Sequence, residues 1–78
     1  DKIKAAHYFL ESANLGYAPA MMNYGYMCAS GDGIRKNLDD GLFWLLSAIE
    51  NGEDGAMEYL TKYYKQNRRG EWVKKLFS

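Results

Sequence analysis

The stretch Gly31-Asp32-Gly33-Ile34-Arg35-Lys36-Asn37-Leu38-Asp39 separates two apolar segments and decides how the chain folds. Glycine reaches left-handed backbone angles without a Cβ penalty, so Gly31 and Gly33 suit the end of a helix. Asn37, Asp39 and Asp40 suit the start of another, because such side chains accept hydrogen bonds from orphan backbone N–H groups. The stretch therefore reads as a corner between two helices.

Working outward, residues 19–30 carry Met21, Tyr24, Met27 and Cys28 at helical spacing. Pro19 fits the first turn, where its missing N–H costs nothing. Gly25 lies inside this segment and costs about 1 kcal/mol against Ala, which predicts close approach of a neighbouring helix. On the other side, residues 39–50 place Leu42, Leu45, Leu46 and Ile49 on one face, with Trp44 beside them. Asn51-Gly52 stops that helix. Upstream, residues 2–14 place Ile3, Ala6, Leu10 and Ala13 on a stripe that Asn14 and Gly16 end. Downstream, residues 54–66 predict a fourth helix with Met57, Leu60 and Tyr64 inward, broken at Asn67-Arg68-Arg69-Gly70. Residues 71–77 predict a short closing helix with Trp72, Val73, Leu76 and Phe77. No alternation argues for a strand.

A shift of 36 residues lays the chain on itself. Tyr8 falls on Trp44, Phe9 on Leu45, Leu10 on Leu46 and Ala13 on Ile49. Gly16 falls on Gly52, Ala20 on Ala56, Met21 on Met57 and Tyr24 on Leu60. Two helices per period of this length are the mark of a helical solenoid, in which stacked neighbours complete each unit's core.

These residues resemble the Sel-one-like repeats (SLR), a branch of the tetratricopeptide-like (TPR-like) superfamily. The family pattern is A-x-x-x-L-G-x-x-x-x-x-G-x-G-V-x-x-D-x-x-x-A-x-x-W-x-x-x-A-A-x-x-G. The chain places Ala20, Tyr24-Gly25, Gly31, Gly33-Ile34, Asn37, Gly41, Trp44, Ala48-Ile49 and Gly52 at those positions. Departures are Tyr24 for Leu, Asn37 for Asp and Gly41 for Ala, with Thr61 and Asn67 in place of glycines in the next unit. They predict a degenerate or terminal part of an array. The resemblance implies an all-α, right-handed α-α superhelix of about five helices. Residues 1–78 read as one domain: half repeat 2–16, full repeat 17–52, partial repeat 53–67 and capping helix 70–77.

Composition sets outer limits. A 78-residue chain buries roughly 60% of its unfolded surface, so a core is possible but small. A hydrophobic share of 47% argues for a packed globule. Formal net charge is zero, which favours no polyanion partner. The charge is segregated, however. Residues 37–58 hold six acids and no Lys or Arg, whereas residues 61–78 hold six bases against Glu71. A single cysteine, Cys28, allows no internal disulfide and sets the chain apart from the cysteine-rich secreted branch. It leans toward a reducing compartment such as the cytoplasm, with the periplasm open. No long apolar run suggests a membrane span. The chain starts at Asp1 without Met and is expected to be a piece of a longer one.

Chemistry-bearing constellations are sparse. His7 has no Cys or Asp at ligand spacing, and a metal site needs several convergent ligands. Cys28 lies on an apolar stripe, which predicts a buried, inert thiol. Asp39-Asp40 read as helix-start acids facing the helix dipole. Gly31-Asp32-Gly33 follows a helix rather than a strand and lacks the Lys-Ser/Thr of a phosphate cradle. Tyr63, Tyr64, Trp72 and Phe77 near the basic tail suit nucleic acid less than they suit packing of the last groove. The expectation is thus no catalysis, no cofactor, no metal, no nucleic acid and no membrane.

What remains is surface. In the tetratricopeptide-like fold, the helix carrying the L-G pair lines a concave face. Carried over by register, the inward positions are Met22, Tyr26, Ala29 and Ser30, then Glu58, Lys62, Lys65 and Gln66. Lys62 and Lys65, one helical turn apart, suit a carboxylate or an acidic segment. The resemblance implies a protein–protein interaction module, an adaptor or scaffold for a peptide or partner protein; many known members are bacterial. The alternative is a dedicated inhibitor or immunity-type protein that neutralises a toxin through Asp39, Asp40 and Glu53. With fewer than three repeats, a homodimer is a further way to cover the end grooves.

Overall fold

A computed structural model describes residues 1–75. It contains four helices, α1 (Lys2–Asn14), α2 (Ala18–Ser30), α3 (Leu38–Glu50) and α4 (Ala56–Tyr63), followed by strands β1 (Tyr64–Gln66) and β2 (Trp72–Lys74). The described chain is all-helical up to that terminal hairpin, and the helices pack on one another as in a helical repeat.

The corner loop behaves as its residues require. Gly31 caps α2 in the left-handed region (φ 78°), and its N–H donates to the Met27 carbonyl at 2.8 Å. Gly33 also has positive φ (88°), and a Cβ there would lie 2.7 Å from Lys2 Cβ and 2.9 Å from Met27 Cε. Glycine thus lets the loop sit on the first turn of α1, where Lys2 Nζ meets Asp32 at 2.6 Å. Asn37 caps α3: its Oδ1 accepts the Asp40 N–H at 3.0 Å, and its Nδ2 donates to the Asp40 carboxylate at 3.1 Å. Asp1 caps α1 in the same manner, accepting the Ile3 N–H at 2.8 Å.

The core is built where α2 crosses α3. An added Cβ at Gly25 would lie 2.9 Å from Leu45 Cγ and 3.0 Å from the Leu45 backbone nitrogen. The helix-breaking residue therefore allows the close approach expected of it. Leu45, Ala48 and Ala29 are fully buried at this crossing, and Ala56, Leu60 and Tyr64 extend the same core into the next unit. The 36-residue equivalent of Gly25 is Thr61, which is exposed and bonds its hydroxyl back to Met57 O at 3.0 Å. No helix crosses there among the described residues, so no glycine is needed.

Two stripe positions are corrected. Ile3 (63% exposed) and Met57 (43%) lie outside the core. Both sit in the first turn of their helices.

The larger correction is the C-terminal segment. The fourth helix ends at Tyr63 rather than residue 66, and the described part of the expected 70–77 closing helix is β2; residues 76–77 lie outside the described range. The strands pair antiparallel in the register Tyr64↔Lys74, Lys65↔Val73, Gln66↔Trp72. The turn is held by Asn67, whose Oδ1 accepts from Arg69 N (2.9 Å) and Glu71 N (3.0 Å). Gly70, at φ 80°, donates its N–H to Asn67 O at 3.0 Å. Asn67 N also donates to Glu71 O at 2.9 Å, which leaves a three-residue loop, 68–70, ending in a left-handed glycine, a standard hairpin connection. A seven-residue helix would gain too few internal bonds to offset its nucleation, whereas Trp72 and Val73 fit a half-buried pleat.

The hairpin is anchored by Tyr64, which is 1% exposed and donates its hydroxyl to Leu38 O at 2.6 Å. The space for it exists because position 41 is glycine: a Cβ there would lie 2.6 Å from the Tyr64 hydroxyl oxygen. The departure from the family's Ala at this position is thus a steric complement of the hairpin. Lys74 also reaches Asp39 at 3.0 Å, but both side chains are solvated. Exposed pairs contribute little, so Lys74→Ala is expected to change stability by less than about 1 kcal/mol in a denaturant titration.

Candidate protein-binding face

On the surface shared by α2 and α4, two side chains of α2 stand one turn apart. Met22 lies against the start of α4, its Sδ 3.5 Å from where a Gly55 Cβ would be. Tyr26 packs on Tyr59 of α4, with ring centroids 4.8 Å apart and planes tilted 39°. Both rings are half-buried. Tyr63 follows Tyr59 by one turn, and Lys62 Nζ lies 5.5 Å from the Tyr63 ring centroid. The result is a ridge, Met22–Tyr26–Tyr59–Tyr63, with a lysine laid along one end. Tyrosine offers large contact area with few rotors to freeze and is enriched at the centre of interfaces.

The residues expected on this face do not all lie on one surface. Met22 and Tyr26 both lie on the α2–α4 surface, Lys62 lies over the Tyr63 ring, and Glu58 is exposed one turn before Lys62. Ala29 does not belong to it: it is fully buried, 3.0 Å from the position a Gly41 Cβ would take. Ser30 is half-buried and accepts the Asp32 N–H at 3.1 Å, so it braces the corner loop. Lys65 and Gln66 lie on β1 rather than on a helix, and Gln66 Nε2 donates to Gly70 O at 3.1 Å inside the hairpin. Lys62 and Lys65 are consequently not one helical turn apart; the strand displaces the second lysine. Tyr59, which packs on Tyr26, is not among the expected positions, because register from α2 selects Glu58 and Lys62. An i, i+4 tyrosine pair at 59 and 63 was the signal available.

Away from the ridge, α1 forms a groove with Tyr24 of α2 and Ile34 of the corner loop, about 280 Å³ in volume and lined on the α1 side by His7, Leu10, Glu11 and Asn14. No group of three His, Cys, Asp or Glu side chains gathers as metal ligands among the described residues. Cys28 is buried, and that burial pushes its thiol pKa up, away from the reactive thiolate. Tyr24 is raised too, first by desolvation and then by the neighbouring Cys28; its ring meets Trp44 edge-on at 6.1 Å. No described helix is long and apolar enough to cross a membrane.

Comparison with protein families finds the Sel1 repeat at residues 1–17 and 18–53. Comparison with curated proteins and with solved structures returns no match. Sel1 repeats generally serve as protein–protein interaction modules.

Proposed function

The chain belongs to the Sel1 repeat family, and from that premise we propose that it is a non-catalytic adaptor or scaffold module that binds a peptide or partner protein along the Met22–Tyr26–Tyr59 ridge. The observation that carries the reading is the Tyr26–Tyr59 pair. Two aromatic rings at 4.8 Å remain half-exposed at the surface shared by successive repeat helices. Burial of their outer faces by a partner supplies the apolar centre that stable interfaces need.

An inhibitor acting through Asp39, Asp40 and Glu53 has less support. Asp40 is held in the Asn37 cap, and Asp39 lies 3.0 Å from Lys74 in an exposed pair, so a toxin would compete with a partner already present at each carboxylate.

The test is selection of binders from a random peptide display library against the folded chain. Selected peptides are expected to lose about tenfold or more in affinity on Tyr26→Ala, since anchor truncation costs 2 kcal/mol or more at about 1.4 kcal/mol per decade. Phe43→Ala, an exposed aromatic on α3, serves as the control that leaves binding unchanged. Circular dichroism establishes that both variants fold. Failure to select any binder, or equal loss with both variants, overturns the reading.

A further inference from the structure

We infer that the ridge continues onto a basic face of the hairpin, and that the segment bound there is acidic; this rests on the binding function proposed above. Tyr64 is buried and Trp72 packs on the core, so strand alternation places Lys65 and Val73 on the opposite, outward face. Lys75 N donates to Tyr63 O at 3.2 Å, which sets Lys75 beside Tyr63 at the base of the hairpin, where the half-buried Tyr63 ring packs on the edge of the core and leaves its other side at the surface. Tyr63 is therefore shared: it ends the tyrosine ridge and begins the hairpin face.

The cations around it are largely uncompensated. Among the described residues, carboxylates come within 4.0 Å of Lys2, Arg69 and Lys74, but not of Lys62, Lys65, Arg68 or Lys75. Lys75 Nζ bonds instead to Thr61 O at 2.7 Å, at the carbonyl end of α4. Glu58 is the nearest acid along α4, one turn before Lys62, and it does not close a pair with it. The face thus offers Tyr63 and Val73 as an apolar floor, with Lys62, Lys65 and Lys75 around it. Its complement is a peptide segment carrying carboxylates beside an apolar residue.

Nucleic acid is the less favoured anion. The chain's formal net charge is zero and its acids are exposed nearby, so no long-range field gathers a polyanion.

The experiment uses the peptides selected above, together with a mixed-sequence single-stranded DNA oligonucleotide. Selected peptides are expected to be enriched in Asp and Glu relative to the starting library. Their affinity should fall about tenfold with the double variant Lys62→Glu, Lys65→Glu, and also on raising salt from about 0.05 to about 0.5 M. Both lysines are exposed, so the variant should retain the fold. Peptides that need Tyr26 but show no acidic enrichment and no response to the lysine changes overturn this inference and leave the binding function standing. Tighter binding of the oligonucleotide than of any selected peptide overturns the acidic-protein assignment.

Discussion

Leu45→Ala is expected to lower the unfolding free energy by about 3 kcal/mol, within the usual range for a buried leucine cut to alanine. Leu45 is fully buried at the α2–α3 crossing, the largest interface in the molecule. Its side chain occupies the groove that Gly25 leaves open, with Cγ 2.9 Å from the missing Cβ. A loss of that size shifts the melting temperature of a small domain by something like 15 °C, readable by thermal circular dichroism. The converse change is informative. Gly25→Ala gains about 1 kcal/mol of helix propensity, but overpacking costs about 1–3 kcal/mol. Overpacking wins, because one of the close atoms is the Leu45 backbone nitrogen at 3.0 Å, which cannot swing away as a side chain can. The double variant should be less destabilised than the two single changes summed, since the alanine methyl enters the space that Leu45 leaves. Strict additivity would show that the helices do not meet at this point.

Tyr64→Ala is expected to cost about 4 kcal/mol and to release the hairpin from α3, with loss of amide protection at Val73 and Lys75 in hydrogen exchange. Tyr64→Phe keeps the ring and removes only the 2.6 Å bond to Leu38 O, for about 1 kcal/mol. Gly41→Ala acts on the same contact from the other side, since its methyl would displace the hydroxyl. Combined with Tyr64→Phe it should cost less than it does alone. A pH signature accompanies the anchor. Burial pushes the Tyr64 hydroxyl up to about 12 from its ordinary 10.0. The folded state therefore holds this proton more tightly than the unfolded chain does. The stabilisation is fully present below pH 10 and is lost as pH rises through about 12. Tyr64→Phe should flatten that part of an alkaline stability profile. An unchanged alkaline slope would show that the hydroxyl is not buried in this way.

How far the chain could be read in advance differs by segment. The corner loop was legible residue by residue, because Gly31, Gly33 and Asn37 act locally, through backbone angles and a cap one turn away. Gly25 was legible as a close-approach site, though its partner Leu45 was not named by spacing. The hairpin was not legible from apolar periodicity. Tyr64, Trp72 and Val73 satisfy a helical stripe as well as a pleat, and so short a segment cannot be assigned by period. The signal that was present lies in the turn, where Asn67 and Gly70 bracket two arginines. Of the residues expected on the binding face, Met22 and Tyr26 lie on α2 as the register places them, because α2 is flanked by helices on both sides. Lys65 and Gln66 lie on β1 rather than on a helix, because α4 ends one turn early.

The amino-acid sequence by itself determined the repeat, the helix boundaries from α1 to α3 and the loop between them, since helical period, capping and positive-φ glycines are properties of a few neighbouring residues. Only the tertiary structure decided where the helical register stops. Tyr64 stands at the position of Cys28 in the 36-residue register and would have continued α4. It leaves the helix because the gap beside Gly41 and the carbonyl of Leu38 reward a buried ring and its hydroxyl more than one further helical turn would. That choice depends on atoms 23 and 26 residues away, and it also moves Lys65 onto the strand face where the proposed acidic segment binds.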